Sequence, residues 1–310
     1  MKSDSYSVVE VLPDWVMTDE PMGSKDKFWV EQPGDHLPWL FKYSRISAGE
    51  TTGEHWAEKV ACELAGHLEI PHATVELAKF ENNWGSISRK FTALSEDYVE
   101  LVHGNEILAG CIPEYDPDRR FGQRQHTLEN VLHALQTVMR QEEDSLRRAY
   151  LGIGGFIILD ALILNVDRHH ENWAVFRRTN TADGSVGHFL APSFDHASSL
   201  GRDVGIEKLR QWKNNGEEDW RVEWYAKRGK GGVFLKDTDA KGANPLRLAE
   251  LAVRKWPGYV RPWLDCIASL NEDEVKAPLW KLPACCIEQE QREFAAKLIS
   301  YTYNRLLELR

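Results

Sequence analysis

The stretch Asn165-Val166-Asp167-Arg168-His169-His170-Glu171-Asn172 decides how this chain is read. It follows the apolar run Phe156 to Leu164, which carries Asp160 and reads as a buried core helix. It precedes two strand-like pieces, Trp173 to Phe176 and Gly187 to Ala191, which flank a turn at Asn180 to Gly184 and look like a hairpin. Asp167 and Asn172 are five residues apart. A carboxylate can orient a hydroxyl and accept its proton, and an amide oxygen a few residues on can hold a metal ion beside the same phosphate. His169 would position the loop or the base. Taken alone, the octet reads equally as a polar turn in which Asp167 or Asn172 caps a neighbouring element.

Working outward, Ser193-Phe194-Asp195-His196 comes after the hairpin, where a metal-binding carboxylate would return to the octet. By itself Asp195 is as well explained as a turn cap. Upstream, Lys42 sits in the apolar strand Trp39-Leu40-Phe41-Lys42-Tyr43, so its ammonium must find an anion or reach water. Glu58 lies on a helical stretch, Glu54 to Leu68, whose apolar residues Trp56, Val60, Ala61, Leu64, Ala65 and Leu68 keep helical spacing up to Pro71. Gly23 and Ser24, in Met22-Gly23-Ser24-Lys25-Asp26-Lys27-Phe28, could wrap phosphates with backbone N–H groups, though a plain hairpin turn fits that segment as well. Each signal is modest. Their order is not: glycine turn, strand lysine, helix glutamate, loop with Asp and Asn, hairpin, second Asp.

Short apolar runs, Val8 to Leu12, Phe28 to Glu31, Leu40 to Tyr43, Ala73 to Ala78 and Ser86 to Phe91, read as strands. Beyond about residue 95 the spacing becomes helical, over Leu128 to Val138, Leu146 to Leu164, Leu246 to Trp256, Val260 to Leu270 and Gln289 to Leu309. The expected class is therefore α+β, with a small β-rich N-lobe at 1–95, a larger helical C-lobe at 96–310 and a cleft between them.

Composition narrows the partners. With 42% apolar and 28% charged residues the 310-residue chain reads as an ordinary globular protein. A formal charge of −10 without a long basic run argues against direct nucleic-acid binding. Lys227-Arg228-Gly229-Lys230 is a compact basic loop, better read as solvated. No leader or membrane span is read from the sequence. The five cysteines, an odd number without a CxxC pair, read as reduced thiols of a cytoplasmic protein.

The octet resembles the N-x-D-x-H-x-x-N catalytic loop of HipA-like serine/threonine kinases, and Ala191 to Leu200 is similar to their metal-binding segment. Gly53 to Leu77 resembles their glutamate-bearing helix and next strand. Gly23 to Trp29, with Phe41-Lys42, resembles their phosphate loop and lysine. The resemblance implies a two-lobed protein-kinase-like fold using ATP and Mg2+. In it Asp167 is the base, Asn172 and Asp195 hold magnesium, Lys42 holds nucleotide phosphates and pairs with Glu58, and Gly23, Ser24 and Lys27 belong to the phosphate loop. Adenine is expected along Ser88 to Phe91, which includes Lys90. Autophosphorylation at Ser24 is a further expectation. The larger HipA toxins carry an N-terminal subdomain that helps bind a DNA-binding antitoxin. Here the loop starts near residue 21, so the resemblance is to a short form, and an antitoxin partner is not implied by this chain alone.

The acceptor would be a hydroxyl of a protein or of a small molecule, since one constellation serves both. Its specificity is expected around Trp220 to Leu235, where aromatic and basic residues alternate, although an ordinary surface loop fits there too. A metal-dependent hydrolase using Asp167, His169, His170, Asp195 and His196, and a nucleotide-binding protein without turnover, are the other readings.

Overall fold

The computed structural model describes residues 5–19, 27–47, 49–91 and 98–310. Its first part is a curled sheet built from β1 (Val8–Val11), β2 (Val16–Asp19), β3 (Lys27–Glu31) and β4 (Pro38–Tyr43). A small ribbon of β5 (Ile46–Ser47) and β6 (Glu50–Thr51) leads into α1 (Glu54–His67), followed by β7 (Val75–Phe80) and β8 (Asn83–Arg89). The sheet order is β1-β7-β8-β4-β3-β2, with β1 parallel to β7 and its other pairs antiparallel.

Strand alternation divides the sheet's side chains between two faces. One face buries Val11, Phe28, Val30, Trp39, Phe41 and Ile87. There the rings of Phe28 and Phe41 stack with centroids 5.0 Å apart, and Phe80 meets Phe28 edge-on at 4.9 Å. Lys27 lies opposite Lys42, and Trp29 opposite Leu40, on the other face. Leu77 shares a core with Trp56, Val60 and Leu64 of α1.

The second part opens with β9 (Tyr98–His103), α2 (Gly104–Cys111), α3 (Leu128–Val138) and the central α4 (Glu143–Ile163). After the octet come β10 (Ala174–Thr179) and β11 (Val186–Leu190), then α5 (Ile206–Asn214), α6 (Val222–Arg228), α7 (Pro245–Lys255), α8 (Pro257–Ser269), α9 (Glu272–Trp280) and α10 (Gln289–Leu307). Helices α7, α8 and α10 pack around α4. The five helices expected beyond residue 95 all form, each within a few residues of its reading. The sequence reading missed β9, which adds to the hairpin in a sheet ordered β11-β10-β9.

Backbone pairing stitches the two parts together. Ala73 N donates to Ser193 O and Ser193 N to Pro71 O, both at 2.8 Å, so the segment after α1 and the segment before Asp195 run side by side. All five cysteines are free, and burial pushes the Cys62 and Cys286 thiols up to about 12. Among the described residues no helix is long and apolar enough to cross a membrane.

Candidate active site

Helix α4 ends at Leu164 in the left-handed conformation, with Leu164 N and Asn165 N both donating to Asp160 O. The chain then turns into the octet. Asn165 Oδ1 accepts from Asp167 N at 3.1 Å, and Asn165 Nδ2 donates to Asp160 Oδ1 at 2.8 Å. Arg168 grips the same carboxylate with two parallel bonds, Nε to Oδ2 at 2.7 Å and Nη2 to Oδ1 at 2.8 Å. Its Nη1 also donates to Asn172 O at 2.6 Å, and its Nη2 to Ser193 Oγ at 3.0 Å. One buried guanidinium thus fixes the helix end, the far end of the octet and the start of the Asp195 segment. This explains an aspartate inside the apolar run.

The Asp167 carboxylate is about one-third exposed, with Oδ1 4.0 Å from His169 Nε2. Ser198 Oγ reaches its Oδ2 at 3.5 Å, Arg202 donates to that hydroxyl at 3.1 Å, and Arg202 lies 3.4 Å from Glu54 of α1. Asn172 Nδ2 donates to Asp167 O at 2.6 Å, which commits the nitrogen end of the amide and leaves its oxygen end to the cleft.

His169 is 2% exposed, with Nε2 3.1 Å from Arg120 Nε and Nδ1 3.2 Å from Glu171 N; a neutral ring accepts from only one of these two donors. Burial first, and the Arg120 charge second, lower its pKa to about 3. The ring is therefore neutral near pH 7. Arg120 comes from the segment between α2 and α3 and carried no signal in the sequence.

Lys42 Nζ lies 3.4 Å from Asp195 Oδ1. Burial opposes the ammonium, but the charge of Asp195, aided by Glu58, outweighs it and raises the lysine above its ordinary value. Asp195 adopts φ +61°, a left-handed backbone uncommon for a residue with a Cβ, as occurs where a site demands a particular side-chain direction. The expected Lys42–Glu58 pair does not form. Glu58 Oε1 is 3.3 Å from His196 Nδ1, and His196 Nε2 is 2.7 Å from Ser193 Oγ. Glu58 sits one layer behind the cleft, acting on Lys42 through its field.

A cleft of about 460 Å³, within the size range of small-molecule sites, brings together Lys42, Asn172 and Asp195, while Asp167, His169 and Glu58 are not among its lining residues. Lys27, Lys42, Ser88, Lys90, Asn172 and Asp195 all line it. Leu40, Ala73, Leu101 and Phe194 contribute apolar lining. Phe91, 6.0 Å from Phe194 between centroids, also lines the cleft. Lys27 and Lys42 lie opposite each other on adjacent strands, which places two cations on one wall of the cleft. Gly23 and Ser24 fall outside the described residues.

The arrangement suits a nucleotide with its metal. A planar base fits the apolar lining, phosphates fit the lysines, and one carboxylate plus one amide oxygen is a donor set that phosphate-bound magnesium accepts. It does not suit a protein-held zinc. Among the described residues no group of three or more His, Cys, Asp or Glu is placed to hold a metal ion. The histidines of the hydrolase reading are committed elsewhere: His169 to Arg120, His170 Nδ1 to Tyr115 Oη at 2.7 Å, and His196 to Glu58 and Ser193.

A curled sheet set over helices, with this cleft between them, defines a two-lobed kinase-like fold. The sequence matches the HipA-like C-terminal domain over residues 21–249, and the chain belongs to that family. The structure is similar to that of the Helicobacter pylori proinflammatory kinase CtkA, with a TM-score of 0.70 and 16% identity, covering 98% of this chain and 96% of that one. It is also similar to a chain in the complex of the Shewanella oneidensis MR-1 toxin–antitoxin proteins HipA and HipB with operator DNA. There the TM-score is 0.55 and the identity 11%, over 94% of this chain and 64% of that chain. A search of curated proteins finds no match.

Proposed function

We propose that the protein is an ATP- and magnesium-dependent protein kinase that transfers the γ-phosphate to a serine or threonine hydroxyl. The observation that carries the reading is the Lys42–Asp195 pair in a cleft that Asn172 also lines, with Asp167 on the same loop as Asn172. In this reading Lys42 and Lys27 take the phosphates, and Asp195 with the Asn172 oxygen takes magnesium. Asp167 orients the acceptor hydroxyl and receives its proton as the phosphorus–oxygen bond to the acceptor forms and the bond to ADP breaks. Catalysis is then mainly positioning and charge neutralisation.

The test is transfer from γ-labelled ATP to purified proteins and, in parallel, to a panel of hydroxyl metabolites, with magnesium and with a chelator. Magnesium-dependent labelling of protein is expected. Labelling of metabolites alone would move the acceptor to small molecules, and no transfer with intact ATP binding would leave a nucleotide-binding protein without turnover. Mass spectrometry of the same samples reads whether Ser24 becomes phosphorylated.

A further inference from the structure

The loop after α6 lies along the octet. Gly232 is so close that a Cβ there would stand 2.7 Å from His169 N and 2.8 Å from Arg168 C and O. A Cβ on Gly229 would stand 3.3 Å from Val166 Cγ1. Residues 229–232 therefore run past both chain neighbours of Asp167. The loop is held from behind: Gly231 N donates to Ala243 O at 2.6 Å, Ala243 N donates to Val233 O at 2.7 Å, and His126 Nδ1 is 2.9 Å from Gly232 O.

Lys230 stands on this loop, and Lys241 lies on the returning strand of chain just before Gly242. Both are exposed. The Gly231–Ala243 backbone bond brings these two chain segments side by side, and Lys241 lowers the Lys230 pKa below its ordinary value. Several other surface lysines have acidic partners, Lys213 with Glu293, Lys227 with Glu223 and Lys276 with Glu272, although exposed Lys208 and Lys236 form no ion pair among the described residues. No ion pair to a carboxylate is formed by Lys230 or Lys241 among the described residues. Two exposed lysines without an ion pair among the described residues, on a protein of net charge −10, thus stand on chain segments of which one packs against the neighbours of the proposed base.

From this placement we infer that Lys230 and Lys241 form an acceptor subsite, and that the favoured acceptor is a peptide segment whose hydroxyl residue is flanked by acidic side chains. The inference rests on the kinase reading and adds to it the acceptor's chemistry. Two lysines are too few for a nucleic-acid track, which needs many phosphate contacts, whereas they match one or two carboxylates. Both are solvent-exposed, so the attraction acts mainly on acceptor capture and weakens with salt.

The experiment uses three serine peptides of equal length, flanked by glutamates, by lysines or by neutral residues, with wild-type protein and with K230E/K241E. Binding is read by fluorescence anisotropy and transfer from labelled ATP. The glutamate peptide should bind wild-type protein at least tenfold more tightly than the lysine peptide at low salt, with a matching difference in kcat/KM. In K230E/K241E that order should reverse while ATP binding stays unchanged. Equal binding of all three peptides, an unchanged order in the variant, or tighter binding of a ribo-oligonucleotide than of the glutamate peptide would overturn the inference. Selective binding without any transfer would instead sink the kinase reading and leave the acidic-peptide surface standing.

Discussion

Lys42 Nζ and Asp195 Oδ1 stand 3.4 Å apart, although 153 positions separate them in the chain (195 − 42). One is on β4 of the curled sheet and the other follows the β10–β11 hairpin, so this contact spans the cleft. Replacing Lys42 by alanine removes the cation that faces both Asp195 and the proposed phosphates. We expect kcat/KM for ATP to fall by roughly 10²-fold or more, with an unchanged far-ultraviolet spectrum. Steady-state kinetics across ATP concentrations checks this, and near-wild-type kinetics would remove Lys42 from the site.

Glu58 should behave differently because it bonds His196 and not Lys42. Glu58→Gln keeps an oxygen for the His196 ring, so ATP binding should change far less than in Lys42→Ala. Glu58→Ala leaves a buried ring nitrogen without its partner and should cost about 1–3 kcal/mol of stability. Parallel titrations and denaturant melts of the two variants separate these effects. Equal damage from Glu58→Gln and Lys42→Ala would mean that a direct pair forms in the working enzyme.

The Arg168–Asp160 pair is the most heavily committed interaction near the octet. Both side chains are under 10% exposed, and Asp160→Ala strands a buried guanidinium. A loss of about 3–5 kcal/mol is expected by analogy with other broken buried pairs. Urea denaturation gives the number. Activity should fall as well, since the same guanidinium holds Asn172 O and Ser193 Oγ.

Acid should destabilise the fold through buried histidines. Burial, the largest cause in each case, lowers His55 to about 4 and His126 and His169 to about 3. The unfolded chain protonates these rings near pH 6.5. Between that pH and about 4 the unfolded state binds more protons, so stability is present above pH 6.5 and is lost as pH falls. The slope is up to about 1.4 kcal/mol per pH unit for each ring. Denaturation at pH 7, 6 and 5 reads it, and His126→Gln should make it shallower by about a third of the three-ring total.

Several parts of this site were legible in the sequence because their signals are local. The octet and the Asp195 segment carry their chemistry in adjacent residues, and the spacing of Trp56, Val60 and Leu64 is enough to define α1. Other parts depend on contacts made at a distance. Nothing near Glu58 shows that its partner is His196, 138 residues later. Arg120 reaches His169 only because the α2–α3 connection folds over the octet. The strand β9 was missed because it is short and gains a partner only when β10 pairs with it. The short polar helix α5 is defined by burying Leu209 and Trp212, which only tertiary packing decides.

The most direct measurement is single-turnover phosphotransfer by Asp167→Asn beside binding of a non-hydrolysable ATP analogue. Asn keeps the size of the side chain and removes its ability to accept a proton. Transfer should drop by at least 10²-fold while analogue binding stays within a few-fold of wild type. Wild-type transfer by Asp167→Asn would contradict the assignment of Asp167 as base.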